Sequence, residues 1–236
     1  MLSVAFSIGC GSLIARQYEY EEETYLALDG SATVYINAAV PALVMLRGAP
    51  LPVDPTARLD REAVRDFYES PVSRVASVTT SRRSGRRYVH VRLDVPDITR
   101  LSESAAFAWS SYRFEPRDGE FKYTQVVRSS GPADATAPRL DVSGAGWTGE
   151  ESVAFRLHLP SRVTFHNAPL RTIDRGNIIV WAQSLAERAQ GGPVAIEVRM
   201  ESASILYRTL ALFLAMIVVV ALTFAGAIWF VRTRKG

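Results

Sequence analysis

Apolar and polar residues alternate over much of this chain in short runs that read as β-strands. Residues 18–28 and 32–40 flank Asp29-Gly30, a dipeptide suited to the positive φ angles of a tight turn, and so predict a hairpin. A second hairpin is expected from residues 72–80 and 88–95 around SRRSGRR. In its return strand Val89, Val91, Leu93 and Val95 share one face while Tyr88, His90, Arg92 and Asp94 share the other, which predicts a sheet with one wet face. Residues 110–114 and 121–127 form a third hairpin across Arg117-Asp118-Gly119. Further strands are predicted over 152–159, 177–181 and 194–200. Helical spacing is confined to 59–68, where Leu59, Val64 and Phe67 fall near one face and Pro71 stops the helix, and to a turn at 185–189. Residues 131–149, rich in Gly, Pro, Ala, Ser and Asp, read as a surface loop or insertion.

The pattern changes at the C-terminus. Residues 209–231, TLALFLAMIVVVALTFAGAIWFV, contain no charge, and a helix of that length exceeds the roughly 30 Å hydrocarbon core of a bilayer. Tyr207 and Trp229 stand near its ends as interfacial aromatics, and Arg232, Arg234 and Lys235 follow it. The positive-inside bias places that basic tail in the cytoplasm and the body of the chain outside it, although Arg199 and Arg208 on the other flank weigh against this a little.

The expected fold class is therefore α+β. An antiparallel β-rich extracytoplasmic domain of about eight strands with short helices is followed by one C-terminal transmembrane helix. The chain divides into a signal-like or lipobox segment (1–15), the domain (16–205), the transmembrane helix (206–231) and the basic tail (232–236).

Composition adds little to that picture. Of the 236 residues 48% are hydrophobic, and the net charge is +3, too small an excess to argue for nucleic acid. The single cysteine, Cys10, excludes an intramolecular disulfide and a multi-cysteine metal site. It lies in an uncharged apolar run, residues 1–14, whose first basic neighbour is Arg16. A signal peptide begins with basic residues, so the run resembles the tail of an export signal whose start lies upstream of Met1. Ser7-Ile8-Gly9-Cys10 resembles a lipobox, departing from it at Ser7 and Ile8. Three readings stand side by side: a lipidated Cys10, peptidase cleavage near Ala15, and an uncleaved apolar anchor.

No phosphate loop, HExxH or GxSxG motif is present, and the expectation is a protein without catalytic residues, metal or cofactor. His90 and His158 fall on polar strand faces and are expected to be solvated, His166 sits in a turn-like FHNAP, and Glu19, Glu21 and Glu23 alternate as a solvated face. Arg82, Arg83, Arg86 and Arg87 crowd one hairpin tip and are candidates for contact with anionic headgroups, because guanidinium groups bind phosphate bidentately. The apolar segments 41–53 and 104–109 either line a pocket for an acyl chain or belong to the core.

The near-lipobox, YLALDGSATVYINAAVPAL, HNAP followed by RGNIIVWAQSL, and EVRMESASILYRTLALF entering the terminal helix together resemble bacterial envelope lipoproteins of the LppM type. That resemblance implies a surface or periplasmic αβ domain associated with envelope lipids, and it carries over no binding or catalytic residue. The expected partners are membrane lipids, with an envelope protein as the alternative.

Overall fold

A computed structural model describes residues 18–83, 85–128, 147, 151–169, 177–189 and 192–234. Cys10 with the segment 1–15, all of the 131–149 loop except Trp147, and Lys235 lie outside them.

The first predicted hairpin forms as β1 (Tyr18–Leu26) and β2 (Ala32–Ala39), with Gly30 at φ 85°. The chain then turns into a helix the strand pattern did not suggest, α1 (Val40–Arg47). Proline stands in its first turn, where no intrahelical N–H is required, and Gly48 ends it at φ 65°. α2 (Arg61–Tyr68) starts on Asp60, whose Oδ1 accepts from the Glu62 amide at 2.9 Å, and it buries Val64 and Tyr68. The arginine-tipped hairpin is β3 (Arg74–Arg83) and β4 (Arg86–Val95), and Val89, Val91, Leu93 and Val95 of β4 are all buried. After two short 3-10 turns come β5 (Ser110–Arg117) and β6 (Glu120–Val127), joined through Asp118 at φ 53° and Gly119 at φ 81°. Pro116 is accommodated because β5 is an edge strand. The remaining elements are β7 (Ser152–His158), β8 (Ser161–His166), β9 (Ile178–Ser184), α3 (Leu185–Ala189), β10 (Val194–Ser204) and α4 (Ile205–Thr233).

The strands assemble into two sheets, β3-β4-β2-β1-β7-β9 and β5-β6-β10-β8. Pairing is antiparallel except between β1 and β7. One hydrophobic core includes Tyr20, Ile36, Val91, Phe155 and Ile179 of the larger sheet, Tyr123, Val127 and Val198 of the smaller one, and Leu43 of α1.

The two ends of this sandwich differ. Arg86 pairs with Glu19, and Trp109 packs on Tyr20 with ring centroids 5.7 Å apart. The β3–β4 tip, the start of β1 and the start of β5 therefore share one end. From there β5 runs alongside β1: Tyr112 reaches Glu22, and a Cβ placed on Gly30 would lie 3.5 Å from Phe114. The β5–β6 turn occupies the opposite end, where Glu201 of β10 pairs with Glu120. β10 ends at Ser204 and α4 begins at Ile205. Within α4, Thr209–Phe230 has a mean hydropathy of 2.7 and is unburied, long and apolar enough to cross a membrane.

Candidate functional site

The apolar segments 41–53 and 104–109 meet between the sheets, the first contributing Arg47 and the second Phe107 and Trp109. Arg47, in the last turn of α1, places its guanidinium carbon 3.1 Å from the Trp109 ring centroid and 4.8 Å from that of Tyr20. The Arg47 side chain is 1% exposed and that of Glu22 is 2% exposed, so their 2.8 Å ion pair is fully buried. Arg47 Nη1 donates to the Ala106 carbonyl at 3.0 Å, and Nη2 also donates to the Tyr20 hydroxyl. Glu22 Oε1 accepts from Gln125 Nε2 at 2.8 Å and from the Tyr112 hydroxyl at 3.3 Å, and Tyr123 donates to Gln125 Oε1 at 3.0 Å. Through these bonds Glu22 joins the centre of one sheet to two strands of the other.

The solvated-face reading of Glu19, Glu21 and Glu23 is corrected at Glu19, while Glu21 and Glu23 are half-buried and Glu22 lies on the opposite, inner face. Glu22 shares its strand face with Tyr20, Thr24 and Leu26, all buried, and β1 is an interior strand flanked by β2 and β7. Glu19 is also buried, near a register shift between Tyr18 and Tyr20. It accepts from Arg86, from the Tyr88 hydroxyl at 3.1 Å and from Trp147 Nε1 at 3.2 Å.

A second arginine enters the same region. Arg188 of α3 is 1% exposed, and its guanidinium carbon lies 4.8 Å from the Trp109 ring centroid. Nη1 donates to the carbonyls of Val127 and Gly192 at 3.2 and 3.0 Å, whereas Nε and Nη2 have no partner among the described residues. Arg47 Nε and Trp109 Nε1 are likewise buried and unpaired. Burial, and then the charge of Arg47, lower the Arg188 pKa to about 10. At Arg47 burial acts in the same direction, but Tyr20 and Glu22 outweigh it and hold the pKa above its ordinary value. Burial pushes the phenols of Tyr20, Tyr68, Tyr112 and Tyr123 upward, so all four stay neutral at physiological pH.

The arginine tip is divided between two uses. Arg87 is buried beneath the 52–57 loop, donating to the carbonyls of Ala57 at 2.7 Å and of Pro52, while Arg86 pairs with Glu19 and with Glu151 at 3.3 Å. Arg82 and Arg83 are exposed, and Arg82 Nη2 donates to the Pro55 carbonyl at 2.7 Å. Elsewhere an open depression of about 480 Å³, lined by Tyr25, Leu26, Thr33, Asp94 and Pro96 among others, lies beside the β1–β2 turn and includes none of these arginines.

The outer face of the large sheet carries a hydrogen-bonded row in place of solvated histidines. Asn37 Nδ2 donates to Glu21 Oε2 at 3.3 Å, so Asn37 Oδ1 accepts from His90 Nδ1 at 2.9 Å and His90 Nε2 accepts from Ser81 Oγ at 2.8 Å. Burial lowers the His90 pKa and keeps this ring neutral at pH 7. Arg156 Nη2 lies 3.0 Å from Glu21, and His158 Nε2 lies 2.5 Å from Glu23 Oε1 with its ring stacked on Tyr25 at 3.9 Å. His166, by contrast, closes β8 and accepts from the Ala168 amide at 3.3 Å.

The hydrogen bond from His158 is the main cause of a lowered Glu23 pKa. A carboxylate depressed in the folded state adds stability above its unfolded value of about 4.3 and loses it as pH falls through the folded value. A histidine depressed by burial acts in the same sense below about 6.5. Thermal midpoints are therefore expected to fall on acidification below about pH 6.5 and again below about 4. Glu23→Gln should be less stable than the native chain at pH 7 and should approach it at acid pH. A constant difference across the titration would show that Glu23 carries no such linkage.

No protein-family model matches the chain, and no curated protein matches it. Among solved structures it is similar to the NMR structure of the folded domain of LppM from Mycobacterium tuberculosis. The likeness has 12% identity and a TM-score of 0.41, and it covers 82% of this chain and 95% of that one. A likeness at this level assigns neither family nor activity.

Proposed function

We propose that the chain is a non-enzymatic, membrane-tethered domain of a bacterial envelope that binds a lipid or glycolipid between its sheets. The observation that carries the reading is the set of unpaired donors held beside aromatic rings inside the sandwich, Arg47 Nε, Trp109 Nε1 and Arg188 Nε and Nη2. A core evolved only for packing satisfies such groups, because leaving them unmade costs about 1–3 kcal/mol each. In this reading α4 crosses the cytoplasmic membrane with Arg232 and Arg234 inside. Acylation of Cys10 would add a second anchor of the same chemical kind as the ligand.

Ser81, His90 and Asn37 do not redirect this reading toward catalysis. They lie on the outer side of strands, where cross-strand hydrogen bonding accounts for them. A second reading, contact with an envelope protein, is favoured by Arg82 and Arg83, which are exposed at the end of the sandwich opposite α4.

The test is mass spectrometry of organic extracts from the full-length chain purified in an uncharged detergent, with a fusion of α4 alone as control. About one lipid per chain, absent from the control, is expected. Equal lipid in both samples would sink the binding reading and leave the partner-protein reading.

A further inference from the structure

The interior of the sandwich is electrically unbalanced. Among the described residues around Trp109 are two buried guanidinium groups and one buried carboxylate, Glu22, which is already engaged by Arg47, Gln125, Tyr112 and Tyr20. Arg188 has no carboxylate partner among the described residues; the two groups it donates to are neutral carbonyls. Among the described residues the unpaired groups here are the nitrogen donors Arg188 Nε and Nη2, Arg47 Nε and Trp109 Nε1, together with the hydroxyls of Ser110 and Tyr68. A further unpaired acceptor, Gln183 Oε1, is neutral like the two hydroxyls, and its own amide nitrogen lies toward Gly192.

A buried cation without a counter-charge is expensive unless something supplies one. Water would satisfy donors but would leave the charge uncompensated. An oxyanion does both, and the Nε and Nη2 edge of a guanidinium presents two parallel N–H bonds that match a carboxylate or phosphate. We propose that Arg188, with Arg47 and Trp109, forms an oxyanion site inside the sandwich that takes the carboxylate or phosphate of the bound amphiphile. This rests on the lipid-binding reading above and narrows it to anionic ligands. The aromatic rings of Trp109, Tyr20 and Phe155, whose centroids lie 5.7 to 6.3 Å apart, supply the apolar wall beside the charge.

The experiment uses the full-length chain in uncharged maltoside micelles and follows its thermal midpoint with four additions: inorganic phosphate, sodium chloride at equal ionic strength, oleate, and the methyl ester of oleate. Oleate is expected to raise the midpoint by about 5–10 °C near saturation, with no effect from chloride or the ester. Arg188→Gln should lose the response. Arg188→Lys, which keeps the charge without the two-pronged edge, should retain only part of it.

A response to phosphate as well would show that the free oxyanion suffices, and a response to oleate alone would show that the chain of the amphiphile contributes. Both outcomes support the site. Equal stabilisation by oleate and its ester would overturn the anion site while leaving lipid binding intact. No response of the native chain to either anion would overturn it outright, and this comparison stands even where an Arg188 variant does not fold. An undiminished oleate response in a folded Arg188→Gln variant would equally overturn it.

Discussion

Glu22→Ala is expected to destabilise the domain by about 3–5 kcal/mol, the cost of stranding one partner of a buried ion pair. Arg47 would then face Tyr20, Phe107 and Trp109 with no carboxylate, and Tyr112 and Gln125 would each lose an acceptor. Arg47→Met strands the opposite charge, but Glu22 keeps three neutral donors, so a smaller loss is expected. The double variant Glu22→Leu with Arg47→Met removes both charges and should be more stable than Glu22→Ala alone, because well-packed apolar replacements of buried pairs are often neutral or stabilising. Urea unfolding of the full-length chain in micelles, followed by tryptophan fluorescence, measures all three. A loss below about 1 kcal/mol for Glu22→Ala would mean that solvent reaches the pair and that the sheets are not joined through it.

Much of the fold is legible in the sequence for specific reasons. The Asp29-Gly30 and Asp118-Gly119 turns carry their own φ requirement, β4 alternates cleanly, α2 has its cap at Asp60, and α4 is uninterrupted. What fails to show is what depends on neighbours distant in the chain. The parallel pairing of β1 with β7 and the division into two sheets leave no local mark, and β8 is missed because FHNAP reads as a turn. α1 is hidden by β-branched Val40 and Val44, which fit a strand as readily as a helix.

The candidate site is legible only in part. Charge drew attention to the exposed-looking glutamates, yet the parity of Tyr20, Glu22, Thr24 and Leu26 places Glu22 on the apolar side of its strand. Arg47 also carried a signal, as the only charge in the run from Val40 to Leu51. Arg188 carried none: in SLAERAQGG it reads as an ordinary helical surface residue, and only the packing of α3 against the sandwich end buries it.

The arginine tip shows how position can change the meaning of a motif. Clustered arginines suggest headgroup contact, but Arg86 and Arg87 spend their donors inside the fold, and the tip lies at the end of the sandwich away from the junction of β10 with α4. β4 alone has ten residues, which spans about 33 Å, far beyond the reach of a side chain. Nitroxide labels at Arg117→Cys and at Arg83→Cys, each in a Cys10→Ser background and reconstituted in bilayers carrying a nickel-chelating headgroup lipid, should therefore behave differently. Relaxation by nickel is expected to be strong at position 117, in the hairpin beside the membrane junction, and close to absent at 83. Equal relaxation would mean that the sandwich lies flat on the bilayer, and Arg82 and Arg83 would regain a headgroup role. The expected asymmetry would instead leave those two arginines facing away from the bilayer that holds α4.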